Sequence, residues 1–132
     1  MNRPGKTAGM RHLALNVANL DACRHFYVDL LGMEVEWNPD PDNFYLSSGN
    51  DNLALHKSNE AFAPKQQQHL DHLGFILQTP EEVQHWYNFL NDQKVKMHSQ
   101  LCHHRDGAVS FYCEDPDGNK VQIMYHPPIS AK

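Results

Sequence analysis

Hydrophobic and polar positions alternate along His12-Leu13-Ala14-Leu15-Asn16-Val17, the period of a strand with one face on a core. The spacing then lengthens. Leu20, Cys23, Phe26, Tyr27 and Leu30 form a helical stripe, with Asn19 or Asp21 as cap and Gly32 as the stop. Shorter strands follow over Met33–Trp37, Phe44–Leu46 and Leu53–His56, with a turn predicted at Asn38-Pro39-Asp40-Pro41-Asp42. The same order returns further on. His72 to Leu77 alternates again, and Thr79-Pro80-Glu81-Glu82 combines an N-cap threonine, a first-turn proline and a capping-box glutamate. Val83, Trp86, Tyr87 and Leu90 are the predicted buried stripe of that second helix. Strands are expected over Val95–Met97, Val109–Cys113 and Val121–Tyr125, with a turn at Asp115-Pro116-Asp117-Gly118-Asn119.

The two patterns are one pattern repeated. His12-Leu13-Ala14-Leu15-Asn16-Val17 matches His72-Leu73-Gly74-Phe75-Ile76-Leu77 at an offset of 60, and Phe26-Tyr27 with Leu30 falls on Trp86-Tyr87 with Leu90. Asn50-Asp51-Asn52 before Leu53-Ala54-Leu55 resembles Gly118-Asn119-Lys120 before Val121-Gln122-Ile123 at an offset of 68. Two related modules, 11–57 and 71–126, are therefore expected, joined by the polar stretch Lys57 to His69. They make one domain over 10–127, with tails at 1–9 and 128–132. The fold class is α+β: two strand-helix-three-strand modules.

Alternation also assigns faces, because a one-residue slip would bury polar groups against the helix. Leu13, Leu15, Leu53, Leu55, Leu73, Phe75, Val121 and Ile123 should face the helices. The opposite face then carries His12, Ala14, Ala54, His56, His72, Gly74, Gln122 and Met124. If two curved sheets close on each other, that face lines a cup.

Composition narrows the function. A length of 132 residues suits one core, and a formal charge of -5 disfavours a nucleic-acid partner. No apolar run approaches the roughly 18 residues of a membrane helix, and the opening residues lack a hydrophobic signal core, so no membrane association and a cytoplasmic location are expected. Cys23, Cys102 and Cys113 are odd in number and lack a CxxC spacing, against a disulfide framework or zinc knuckle. Histidine is in surplus, at ten residues, which brings metal or proton chemistry into view. No GxSxG, P-loop, GxGxxG or HExxH motif is present.

The repeated module, the Phe26-Tyr27-Val28-Asp29-Leu30-Leu31-Gly32-Met33 run and the Asp115-Pro116-Asp117-Gly118-Asn119 turn resemble the vicinal oxygen chelate superfamily. Glyoxalase I, bleomycin-resistance proteins and extradiol dioxygenases belong to it. The resemblance spans Met10 to His126 and implies paired βαβββ modules forming a curved mixed-sheet cup, often with a divalent metal inside and often in a homodimer. Carried over position by position, the first-strand ligand histidines fall on His12 and His72. The acidic positions fall on Ala54 and Gln122, neither of which is acidic. His56, two residues beyond Ala54 on the same face, is the further donor that the pattern offers.

Two imidazoles and an amide carry no charge against a divalent cation, and a glutamine cannot shuttle a proton, so glyoxalase I activity itself is disfavoured. Two readings stand. In the first, His12, His72, Gln122 and His56 hold iron, nickel, zinc or manganese, and the protein is a lyase, isomerase, transferase or dioxygenase acting on a small molecule with adjacent oxygens. In the second, a metal-free dimer sequesters a small aromatic or cationic molecule, as bleomycin-resistance proteins do. Glu34 and Glu36 could supply a base if their strand faces inward. His103-His104-Arg105 is read as a rim loop, His126 as a strand end, and Trp37, Tyr45, Phe62 and Tyr125 as core or pocket wall.

Overall fold

The computed structural model describes residues 3–4, 6–60 and 70–130, so Phe62 lies outside the described residues. The chain divides into two compact units, Met1–Ala61 and Phe62–Lys132. In the first, β1 (His12–Val17) leads into α1 (Leu20–Arg24), which continues as a π-helical segment over His25–Leu30. Strands β2 (Glu34–Asp40), β3 (Asn43–Ser47) and β4 (Asn52–Lys57) follow, and the sheet order is β1-β4-β3-β2. In the second, β5 (Leu73–Leu77), α2 (Pro80–Asp92), β6 (Cys102–His103), β7 (Val109–Glu114) and β8 (Lys120–Tyr125) give the order β5-β8-β7-β6, and a short α3 (Pro127–Ser130) ends the described chain. In both sheets the first strand lies parallel to the last and the remaining pairs are antiparallel. The α+β class and the repeat of one topology agree with the sequence pattern.

The register pairs the apolar positions as alternation requires. Leu13 lies opposite Leu53 and Leu15 opposite Leu55, while Leu73 faces Val121 and Phe75 faces Ile123. Leu15, Val17, Leu53 and Leu55 are buried with Leu20, Cys23, Phe26 and Tyr27 of the helix. Phe26 and Tyr27 are consecutive yet both are buried, their rings edge to face at 4.9 Å. The widened turn accounts for this: Leu31 N–H donates to the Phe26 carbonyl at 3.0 Å, an i→i+5 bond that brings one more side chain onto the core face. A regular helix over that stripe was expected. In the second unit Val83 and Leu90 are buried beside Phe111, and the Tyr87 ring meets Phe111 at 5.2 Å. Thr79 Oγ1 accepts from Glu82 N–H at 3.3 Å, and Glu82 Oε2 accepts from Gln78 N–H, so the predicted cap forms with its return bond one residue further out.

Strand limits differ where edge strands are concerned. β2 runs on through Pro39 to Asp40, leaving only Pro41 and Asp42 at the tip. An edge strand with register shifts tolerates the missing N–H of proline. Val95–Met97 does not form a strand; Met97 makes an isolated bridge to Cys113, and the paired edge is the two-residue β6. The turn before β8 forms as predicted. Buried Asp115 accepts Asp117 N–H and Asn119 N–H on Oδ1 and the Asn119 amide on Oδ2, while Gly118 takes a φ of 90°. This motif builds the loop that delivers Gln122 in register.

Candidate functional site

On the first sheet, the face turned away from α1 carries His12, Ala14 and Asn16 on β1, opposite Asn52, Ala54 and His56 on β4. Tyr45 on β3 pairs with Ala54, and Trp37 on β2 pairs with Tyr45. Val35 lies opposite Leu46, on the helix side, so plain alternation would turn Trp37 away from this face. A register shift between Val35 and Trp37 restores it and leaves Glu36 on the same side.

The shift completes a relay. His12 Nδ1 lies 2.7 Å from Asn52 Oδ1, and Asn52 Nδ2 donates to Glu36 Oε2 at 3.2 Å. The carboxylate has no hydrogen to give, so the Asn52 NH2 must face it and the amide oxygen must face the ring. His12 Nδ1 is then the donor, and in the neutral ring Nε2 keeps the lone pair. The arrangement repeats at the far end of the sheet. His56 Nδ1 lies 2.6 Å from Asn43 Oδ1, and Asn43 Nδ2 donates to both oxygens of Asp40 at 2.9 and 3.0 Å. His56 therefore has the same ring form.

The structure does not bring His12 and His56 together. His56 lies opposite Asn16, four positions beyond the level of His12, about 13 Å along the strands at ~3.3 Å per residue. That is far beyond the spacing of two ligands on one ion. Tyr45 meets the His56 ring edge to face at 5.9 Å and packs against the Trp37 ring at 5.0 Å, the two planes tilted by 32°. Trp37 was expected in the core or a pocket wall; it is 58% exposed, on the edge strand.

On the second sheet His72 sits just ahead of β5, with Gly74, Gln122 and Tyr112 side by side across three strands. A Cβ added to Gly74 would stand 3.4 Å from the Gln122 carbonyl oxygen and 3.7 Å from its Cβ, so glycine keeps the flank of Gln122 clear. The His72 ring meets Tyr112 edge to face at 5.3 Å. His72 Nδ1 lies 2.6 Å from Asp71 Oδ2 and donates to it, which leaves Nε2 as the uncommitted ring nitrogen. The hydrogen bond from His72, and after it the charge of Lys120, hold the Asp71 carboxyl below its ordinary 3.8. Lys120 also stands over the Tyr112 ring at 5.6 Å.

Other candidate residues have local roles. His104 Nε2 lies 3.3 Å from Ser110 Oγ and closes the Asp106-Gly107 turn through its backbone. His98 and Lys96 both reach Glu114 Oε2. His126 Nδ1 is buried and has no hydrogen-bond partner among the described residues. All three cysteines are free, and burial, followed by the charges of Asp115 and Glu114, pushes the Cys113 thiol up to about 12.

By their chemistry, the imidazoles of His12 and His72 and the amide oxygen of Gln122 are donors of the kind that suit a borderline divalent cation. Within either unit, among the described residues, no three His, Cys, Asp or Glu side chains gather as a complete set. Sequence reasoning missed Asn52, Asn43, Asp40 and Asp71 as partners of the histidines. Only Asp71 left a local signal, a carboxylate next to His72. The asparagines become visible once strand pairing sets His12 opposite Asn52.

Residues 9–123 match the Glyoxalase/Bleomycin resistance protein/Dioxygenase superfamily. The metallothiol transferase FosB of Staphylococcus saprophyticus is 24% identical over 116 residues, covering 86% of this chain and 74% of that protein. FosB of Staphylococcus haemolyticus is 24% identical over 115 residues, covering 87% and 81%. Among solved structures, the lactoylglutathione lyase of Agrobacterium tumefaciens superposes with a TM-score of 0.75 at 22% identity, covering 96% of this chain and 98% of that one. A glyoxalase family protein of Enterococcus faecalis superposes with a TM-score of 0.72 at 28% identity, covering 89% and 97%.

Proposed function

This chain belongs to the Glyoxalase/Bleomycin resistance protein/Dioxygenase superfamily, and from that premise we propose that it is a divalent-metal-dependent enzyme that joins a thiol to a small molecule bearing adjacent oxygens. His12 and His72 hold the metal through Nε2, and Gln122 offers its amide oxygen. Bound there, the cation supplies Lewis acidity toward the substrate oxygens. The observation that carries the reading is that both histidines have Nδ1 committed to a side-chain acceptor, which leaves Nε2 as the ring nitrogen to face a metal.

Gln122 argues for transfer over isomerisation. An amide orients and coordinates but cannot accept and return a proton at neutral pH, so a reaction built on proton shuttling at this position is disfavoured. The name of the FosB relatives, metallothiol transferase, is consistent with that choice. Loss of the thiol proton still needs an acceptor. The substrate oxygen whose C–O bond breaks as the C–S bond forms takes up that proton, by way of solvent.

Elemental analysis of untagged protein tests the reading. Near-stoichiometric iron, nickel, zinc or manganese in the wild type, lost in both His12→Ala and His72→Ala, is the expected result; wild-type protein that stays empty after incubation with all four overturns it. A metal-free binding protein is the second reading, favoured by the exposed Trp37 packed against Tyr45. Under it, empty wild-type protein would still show quenching of tryptophan fluorescence by a small aromatic cation, abolished in Trp37→Ala. In either reading the protein acts on a small molecule, as a cytoplasmic homodimer.

A further inference from the structure

Resting on the metal reading above, we infer that Glu36 and Asp71 are positioning residues that fix the ring forms of His12 and His72 and return the negative charge that Ala54 and Gln122 withhold. The directly coordinating groups are all neutral: two imidazoles and an amide. A dication held by them alone keeps its full charge in a site with fewer waters than solution offers, which weakens binding. Each imidazole, however, is backed by a carboxylate. Asp71 accepts directly from His72 Nδ1 at 2.6 Å. Glu36 acts one group further out, through the Asn52 amide, at 3.2 Å from Asn52 Nδ2 with Asn52 Oδ1 2.7 Å from the ring.

Both contacts fix the orientation of the ring, and a carboxylate that pulls on the Nδ1 hydrogen makes the ring a better ligand at its other nitrogen. The two differ in strength. A direct carboxylate contact polarises the ring more than one relayed through a neutral amide, but the relay restricts orientation more tightly. Asn52 has a single way round that satisfies both neighbours, because reversing it would set its oxygen against the Glu36 carboxylate. The bulge on β2 that keeps Glu36 on this face is thus part of the site. Lys120, whose charge reaches Asp71, opposes the effect on the second sheet without replacing the hydrogen bond.

The test uses full-length, untagged protein stripped of metal and titrated calorimetrically with Zn(II) and with Ni(II) at pH 7.5 against a competing chelator. Four proteins are compared: wild type, Glu36→Gln, Asp71→Asn, and Glu34→Gln, which removes the same charge from β2 outside the relay. Affinity is expected to fall about tenfold or more in the Glu36 and Asp71 variants, as second-shell losses do, and to stay within about twofold in the Glu34 variant. In parallel, 15N spectra of the metal-free proteins should show His12 as the pure Nδ1–H form in the wild type and a mixture of ring forms in Glu36→Gln. Metal bound equally well by all four proteins overturns this inference and leaves the metal reading standing. Wild-type protein that takes up neither ion overturns both.

Discussion

His12, His56 and His72 have the same ring form for a reason found in their partners: each Nδ1 faces an oxygen that can only accept. The histidines themselves were legible from the repeat. Their partners were not, because Asn52 and Asn43 are brought to them by pairing between strands distant in sequence. Asp71 shows the consequence for titration. Its carboxyl is held low by the His72 hydrogen bond, so the folded state binds its proton less readily than the unfolded chain, and the contact supports the fold above 3.8 and fades as pH falls through the lowered value. A carboxyl-detected NMR titration should give a midpoint below 3.8 in the wild type, returning toward it in His72→Ala. Cys113 runs the other way. Its thiol, raised from 9.0 to about 12, stays protonated in the fold where the unfolded chain has released its proton, so stability declines as pH rises from 9.0 toward about 12. Urea melts at pH 8 and pH 10.5 should show a smaller decline in Cys113→Ala than in the wild type.

At the level of the element, the Asp115 turn and the Thr79 cap show motifs doing the same structural work here as their residue chemistry dictates. Asp115 is 2% exposed and accepts three hydrogen bonds that hold the loop before β8. Its removal leaves two partly buried N–H groups without their acceptor, so Asp115→Ala should cost about 2 kcal/mol in urea unfolding. Thr79→Ala removes one exposed cap and should cost about 1 kcal/mol. Both motifs lie within a few residues, which is why the sequence revealed them. The π-helical segment over His25–Leu30 and the shift in β2 did not show. Each inserts one residue into a regular period to satisfy packing by another element, and a period count along one segment cannot see its partner.

For the whole molecule, the repeat forecast two units of equal topology, and both sheets have it. No helix among the described residues is long and apolar enough to cross a membrane. A homodimer of a 15.2 kDa chain is the assembly proposed here, and sedimentation equilibrium should return about twice that mass. The proposed ligand set also makes metal retention depend on acid. Because ligand histidines must be neutral, bound metal should be released as pH drops below about 6, and retention well below pH 5 in a stepwise dialysis with elemental analysis would count against imidazole ligation.

The amino-acid order by itself determined the side of the sheet on which the residues of β1, β4, β5 and β8 stand, the Thr79 cap, the Asp115 turn, and the equivalence of His12 with His72. These depend on near neighbours or on internal likeness, and both are written along the chain. Tertiary structure decided which acceptors meet His12 and His56, that these two rings stand apart, and that Glu36 lies beside Asn52 at a bulge. Those relations arise between strands, where register and a single extra residue choose the partner, and one-dimensional spacing carries no record of that choice.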